Sequence, residues 1–375
     1  MNKTDSDNVN IKNLEELDNI LSFTIENINV SYVNAIRRIL HANIPIIVFK
    51  TNPYSENKVN IEINKTRLNN ELIKQRLSCI PIHIDDIENF SYEDYEVYLE
   101  KKNETNEIIY ATTEDFKIKN IKLNKFLNSG DVKKIFPPDS ITEDYIDIVR
   151  LRPKINENNN FDEIKLSCKL SVSTAEDDGT FNVISIASYG NTLNPVEIKN
   201  KWDLKEDELK LKYSNDEIQK IKLDWMLIDA KRIFIDNSFD FKLKTIGIYS
   251  NIKLMTLASK ILIKKLFILV DDLKNDYDLI EEIPDNLDNC FKITILNEDY
   301  TIGKIIENYL YKKYFIKEKI ISFVSFLKKH PHDNNSIIKI SYNYLIKKDE
   351  IITHIEEASN YAIAKINEIK NYFEE

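Results

Sequence analysis

The chain has 375 residues, 42% of them apolar and 30% charged, with a net charge of −10. That length allows two or three domains, or one domain interrupted by another, and the acidic balance argues against a sequence-independent duplex binder, which needs a basic face. The longest apolar run, 266–270, is far too short for a bilayer span, the opening MNKTDSDNVN has no secretory h-region, and three scattered cysteines (Cys79, Cys168, Cys290) suit a reducing compartment better than a disulfide framework.

Residues 1–20 are polar and read as a mobile N-terminus, with at most a short helix around 14–21. Residues 23–27 alternate and predict a strand with Phe23 and Ile25 inward. Ser31 is the expected N-cap of a helix whose apolar stripe is Tyr32, Ala35, Ile36, Ile39 and Leu40. Pro45 ends that helix, and a strand is expected at 46–49.

A long β-rich stretch follows. Its clearest strand runs from Ile164 through Leu166, Cys168, Leu170 and Val172, with Lys or Ser between, so one face is packed and one wet. Cys168 falls on the inward face and reads as a small core residue. Further strands are expected at 95–99, 181–186 and 239–243, and the charged, helix-like residues 196–228 read as an insertion or surface arm. A helix over 252–273 carries Leu254, Leu257, Ala258, Ile261, Leu262 and Leu266, and becomes apolar on nearly all sides at 266–270, which predicts burial between two partners. Residues 275–289, rich in Asp and Asn and containing Pro284, read as a linker. The last helix, over 348–373, carries Ile355, Ala358, Ala362, Ile366, Ile369 and Phe373.

Before that last helix the first pattern returns. Ile293 and Ile295 alternate, Thr301 stands as a cap, and Ile302, Ile305, Ile306, Tyr309 and Leu310 repeat the stripe of Tyr32 to Leu40. The separation is constant (301 − 31 = 270) and also pairs Phe23 with Ile293 and Asn27 with Asn297. Two copies so far apart cannot be a solenoid, but they suit two half-domains around a pseudo-twofold axis. The two helices, over 31–42 and 301–313, are expected to pack directly on each other.

Little in the sequence suggests chemistry. Five glycines, no two close together, exclude a phosphate loop, and no nucleophile elbow or zinc-protease motif occurs. His330-Pro331-His332 lacks further metal ligands nearby. Glu176-Asp177-Asp178-Gly179 reads as a hairpin turn with the glycine at positive φ, and Asp85-Asp86 and Asp271-Asp272 as caps or solvated surface. No catalytic residue, metal site or cofactor is therefore assigned.

The stretch from Asn27 to Leu40, closing on Ile44-Pro45, resembles the signature of RNA polymerase α-like subunits, the family of bacterial α, archaeal D and the eukaryotic third-largest subunit. Arg76-Leu77-Ser78-Cys79-Ile80-Pro81-Ile82 resembles the segment that follows in that family, and Phe239-Asp240-Phe241-Lys242-Leu243 through Gly247 its return from an inserted domain. Asn297-Glu298-Asp299-Tyr300-Thr301-Ile302-Gly303, with His330-Pro331-His332, resembles the smaller partner, archaeal L. The resemblance implies an α+β fold of two dimerisation half-domains, antiparallel strands with packed helices, and a β-rich insert. The expected boundaries are 21–84 with 236–274 for the first half, 85–235 for the insert and 290–375 for the second half.

It also implies a function: a non-catalytic assembly platform of a DNA-directed RNA polymerase, fused as in large cytoplasmic DNA viruses. Such a chain would dock the largest and second-largest subunits and a small zinc-binding subunit, and would meet DNA only through the complex, with no membrane contact. In a virus its place would be the host cytoplasm and the virion. Asn34, Arg37 and Arg38 match the family's Asn-x-x-Arg-Arg and are expected to face a partner, since arginine's planar fork suits a desolvated interface. Ile36, Ile39, Leu40, Leu262, Leu266, Ile302, Ile305, Ile306, Tyr309, Leu310, Ile355 and Ala362 are expected between the halves. Lys304, Glu307 and Asn308 depart from the pattern, and the cysteines cannot supply the four-cysteine cluster of some relatives. The rival reading is a free-standing DNA-binding transcription factor, which needs a contiguous basic surface; a metal-dependent enzyme comes third.

Overall fold

The structure, a computed structural model, describes residues 8–153, 161–284 and 288–374. They divide into two compact units: residues up to Leu40, Ile186–Lys244 and those from Asn251 onward in one, and His41–Ser185 with Thr245–Ser250 in the other.

The chain starts in the first unit with β1 (Asn10–Leu17), β2 (Ile20–Glu26) and α1 (Val30–Ala42). Residues 10–17 were expected to be mobile, with a short helix near 14–21; they form an edge strand instead. Asp18 and Asn19 both take positive φ, which makes a two-residue hairpin turn of the hand that matches strand twist, and Leu17 pairs with Ile20 across it. Local turn chemistry thus overrides a helix-compatible composition. Residues 1–7 lie outside the described residues.

The second unit holds β3 (Ile46–Val48), β4 (Val59–Asn64), α2 (Asn70–Ser78), β5 (Tyr95–Lys102), β6 (Ile109–Thr112), β7 (Lys117–Asn120), β8 (Lys125–Phe126), α3 (Ser129–Ile135), β9 (Asp147–Leu151), β10 (Glu163–Lys169) and β11 (Ser171–Ser173). The strand order β4-β10-β5-β7-β8 makes its main sheet, with two-stranded ribbons β3-β11 and β6-β9. Ile47, Phe49, Ile73, Leu77, Val97, Leu99, Leu166 and Cys168 share one core. Burial pushes the Cys168 thiol pKa up, as befits a core residue.

This unit begins near 41, not 85. β3 and β4 take their strand partners, β11 and β10, from the far end of the unit, and α2 drops Ile73 and Leu77 into its core. It ends near 185, not 235. The expected single strand over 164–172 breaks at Leu170 into β10 and β11, and the strand expected at 181–186 begins only at Ile184. An acidic turn is present, but it closes no hairpin, because β11 pairs with β3 and not with the strand that begins at Ile184, and Gly179 does not take positive φ; Asp177 accepts from the Ser173 hydroxyl and Asp178 from the Thr180 amide, and these bonds shape it.

β12 (Ile184–Leu193) leads back into the first unit, followed by the helical arm α4 (Pro195–Leu209) and α5 (Asn215–Leu227), then β13 (Phe234–Thr245) and α6 (Asn251–Asn275). The arm has its own small core around Trp202 and Trp225, ring centroids 5.4 Å apart. The expected linker at 275–289 contains a strand, β14 (Ile280–Glu282), which pairs with β15 (Cys290–Ile295); residues 285–287 lie outside the described residues. α7 (Tyr300–Leu310), β16 (Ile321–Leu327), β17 (Ser336–Tyr342) and α8 (Lys348–Glu374) complete the chain.

The first unit therefore contains one motif twice: two strands, a helix, two strands, a long helix. The strand orders β1-β2-β13-β12 and β14-β15-β17-β16 are the same order realised with different residues. Phe23 pairs with Phe241 in the first sheet and Ile293 with Ile338 in the second, each on the central antiparallel ladder.

Candidate partner interface

Each copy turns from strand to helix in the same way. Asn27 and Asn297 both sit at positive φ, a conformation asparagine tolerates better than other side-chain-bearing residues. Two residues later a short polar side chain caps the helix: the Asn29 side chain accepts from the Ser31 amide at 3.0 Å, and Asp299 from the Thr301 amide at 2.9 Å. The caps are thus Asn29 and Asp299 rather than Ser31 and Thr301. The signal was present in the sequence, since both caps obey the same 270-residue separation and belong to the preferred N-cap residue types.

The expected internal interface is largely buried. Ile36, Ile39 and Leu40 on α1, Ile302, Ile305, Ile306 and Leu310 on α7, Leu262 and Leu266 on α6, and Ile355 and Ala362 on α8 are all buried. Tyr309 is half-buried, with its ring 5.0 Å from that of Tyr361. The main helix packing, however, is α6 on α8. They run antiparallel: the Thr256 hydroxyl donates to the Phe373 carbonyl at 3.2 Å, and Lys274 pairs with Glu356 at 2.7 Å. Phe373 also reaches the opposite sheet, its ring centroid 5.3 Å from that of Phe23.

The two helices match position by position. The buried residues Asn251, Leu254, Met255, Ala258, Ser259, Leu262, Leu266, Leu269 and Leu273 of α6 each have a buried counterpart one hundred residues on, from Ile351 and His354 to Ile369 and Phe373. Antiparallel helices with matched positions form a self-complementary seam about a pseudo-twofold axis. Ala258 and Ala358, small and fully buried, hold equivalent places in it.

α1 and α7 do not lie along each other as expected. They meet at a corner through Arg38. Its Nε donates to the Thr301 hydroxyl at 2.9 Å, and its terminal nitrogen pairs with the second oxygen of Asp299. The Thr301 hydroxyl in turn donates to the first Asp299 oxygen at 2.7 Å. Burial pushes the Asp299 carboxyl up, but the Thr301 amide and hydroxyl and the charges of Arg38 and Lys328 outweigh it, leaving the pKa below the ordinary carboxylate value. Arg38 was expected to face a partner. Its guanidinium is instead engaged across the two halves, because the helix cap of the second copy offers an acceptor pair that matches its fork. Beside it, Lys265 pairs with Glu298 at 2.6 Å, a second link between the copies.

Arg37 remains on the outer side of α1. Its Nε and one terminal nitrogen donate to the Asn34 side-chain oxygen at 3.2 and 3.0 Å, which preorients the guanidinium. The equivalent positions in α7, Lys304 and Glu307, form an ion pair at 2.6 Å, and the other Glu307 oxygen accepts from the Phe326 amide of β16. On α6, where burial on all sides was expected, Phe267 is 57% and Ile268 46% exposed while Leu266 and Leu269 are buried. One side of the predicted sandwich is present within the chain; the other is open.

Among the described residues no group of His, Cys, Asp and Glu could hold a metal, and no helix is long and apolar enough to cross a membrane. His330 and His332 stand in the turn between β16 and β17, rings 5.1 Å apart. A family model described as the RNA polymerase Rpb3/Rpb11 dimerisation domain matches residues 22–266, from within β2 through the second unit and the arm to most of α6. No curated protein matches the chain.

Proposed function

The chain belongs to the RNA polymerase Rpb3/Rpb11 dimerisation family and is an RNA polymerase subunit involved in assembly; from that premise we propose that it is a non-catalytic platform carrying both members of a usual heterodimer in one chain. The observation that carries this reading is the doubled strand–strand–helix motif, with one strand order in both sheets and a matched α6–α8 seam. In a two-chain assembly that seam would be an intermolecular interface; here the covalent link makes it independent of concentration.

In this reading the outer face of α1 and the open side of α6 dock the second-largest subunit, then a small zinc-binding subunit and the largest. Arg37, preoriented by Asn34, supplies the fork, and Phe267 and Ile268 supply the apolar contact that a central desolvated patch needs. DNA is met only through the complex. The fused arrangement supports a polymerase of the large cytoplasmic DNA virus kind, working in host cytoplasm and packaged in the virion.

The test is affinity purification of the tagged full-length chain from its native source. Wild type is expected to bring down two subunits each far larger than itself. Arg37→Glu combined with Phe267→Asp alters side chains that hold no core position, so the thermal melt should stay within about 2 °C of wild type while both large partners disappear. Normal assembly of that variant would overturn the docking assignment. Retention of DNA by the isolated chain with a steep salt dependence would favour the free-standing factor.

A further inference from the structure

The second unit carries a feature that the assembly reading does not use. The chain has only seven arginines, and four of them, Arg67, Arg76, Arg150 and Arg152, line one cleft of about 230 Å³, walled by Leu68, Tyr110 and Val149. In a chain of net charge −10 that abounds in lysine, this is a local concentration of the one cation with a planar, forked donor set.

The cluster is built from the bend before α2, which carries Arg67, from α2, and from the β6–β9 ribbon. Arg150 and Arg152 are two apart at the end of β9 and so share a face, and Tyr110 of β6 stands directly opposite Arg150 in the ladder. Arg76 projects from the last turn of α2 and donates to the Asp147 carbonyl at 2.9 Å. Arg152 is locked by a bidentate bond to Asp162, both contacts 2.9 Å, with the Arg152 amide donating to the same carboxylate. Among the described residues the side chains of Arg67 and Arg150 make no hydrogen bond and no ion pair within 4 Å, although the Asp162 carboxylate also feels the charge of Arg67. Four guanidiniums face two carboxylates, Asp147 on the wall and Asp162 behind Arg152, so a surplus of two positive charges remains.

We propose that this cleft receives a carboxylate-rich segment of a protein partner, placing two acidic side chains on Arg67 and Arg150 with a neighbouring apolar side chain against Leu68 and Tyr110. The volume argues for side-chain tips: it is smaller than the roughly 300–1,000 Å³ of cofactor and drug-sized pockets. The mixed wall argues the same way, because inorganic anions gain nothing from Leu68 and Tyr110, whereas a peptide buries apolar atoms there. A nucleic-acid backbone needs a continuous basic track, and the lining is interrupted by the carboxylate of Asp147. Guanidinium pairs with carboxylate in parallel two-point bonds, so the forks of Arg67 and Arg150, lining one cleft with the fixed Arg152, form a geometry that reads paired acids. The site lies wholly within the second unit and stands whether or not the assembly role of α1 is correct.

The probe is a fluorescein-labelled peptide of Asp and Glu with one central Phe, titrated with the full-length chain by fluorescence anisotropy at low salt. Wild type should bind it, and Arg67→Glu with Arg150→Glu should weaken binding at least about tenfold. Lys133→Glu with Lys134→Glu, the same charge change elsewhere on the unit, should have little effect. If the reversal variant melts early, Arg67→Gln with Arg150→Gln replaces it. No binding up to about 1 mM, equal loss in the lysine control, or tighter Arg67-dependent binding of an oligonucleotide or inorganic phosphate would each overturn the proposal.

Discussion

The two copies in the first unit share a skeleton and differ on their surfaces, and the comparison separates what holds the fold from what is free to serve partners. The shared positions are backbone and core: Asn27 and Asn297 at positive φ, the caps Asn29 and Asp299, the paired stripes, and the nine matched buried positions of α6 and α8. The differing positions are those that meet something particular to one copy. Val33 is buried in α1, whereas its equivalent in α7 is Gly303, over which the Phe326 ring of β16 lies so closely that a Cβ would fall 1.9 Å from it. Arg37 points outward from α1; its equivalent Glu307 ties α7 to the β16 backbone. The second copy closes on its own edge strand at the positions where the first copy stays open.

The largest effect should come from making the copies alike at that point. Gly303→Val is expected to cost about 3 kcal/mol or more, since an aromatic ring in a closed core cannot move aside, and soluble yield should collapse. Val33→Gly, the reverse exchange, removes a buried side chain and adds helix flexibility for about 3 kcal/mol, measured by urea denaturation. Equal tolerance of both exchanges would mean the asymmetry is not structural.

A smaller effect should come from the corner where the copies meet. Arg38→Ala leaves Asp299 and Thr301 without their guanidinium, and because both ionic side chains are about one-third exposed the loss should be about 1–2 kcal/mol. Asp299 has its carboxyl pKa held low, so its contribution is present above the ordinary carboxylate range and is lost as acid protonates it. In Asp299→Asn that part of the acid sensitivity should vanish. Arg37→Ala, by contrast, should leave stability within about 0.5 kcal/mol of wild type, because its guanidinium hydrogen-bonds only within its own helix, to Asn34.

Much of this was legible in the sequence wherever periodicity carried the information. The stripes of α1 and α7, the long helices, and the antiparallel α+β class follow from spacing of Ile, Leu and Ala, which depends on few neighbours. β1 was missed because its exposed edge has no apolar alternation, and only the Asp18-Asn19 turn betrays it. The unit boundaries were missed because β3 and β4 find partners more than a hundred residues away, which no local signal reports. Arg38 looked like Arg37 in the sequence, and only the fold shows which of the two reaches the other copy. The arginine cleft was invisible for the same reason: Arg67 comes from the bend before α2, Arg76 from α2, and Arg150 and Arg152 from the end of β9 and just beyond it.

The gentlest test uses a buried position at which the matched helices differ. Leu254 of α6 corresponds to His354 of α8, and both are buried. His354 Nδ1 lies 2.9 Å from the Tyr342 hydroxyl, and its ring centroid lies 4.3 Å from that of Tyr314, the two planes tilted by 40°. Burial lowers its pKa against the opposing pull of Glu350, Glu357 and Glu318, while Lys313 lowers it further; His83 in the second unit is lowered likewise. A base held neutral in the fold but free to protonate when unfolded stabilises fully above its unfolded pKa, near 6.5, and loses that contribution as pH falls below it. The melting temperature should therefore drop between pH 7.5 and 5.5 beyond what carboxylates explain. In His354→Gln, which keeps a polar partner for Tyr342 but cannot titrate, the drop should shrink by about 1–2 °C, leaving the share due to His83. An unchanged slope would mean that Leu254 and His354 are interchangeable fillers of one seam.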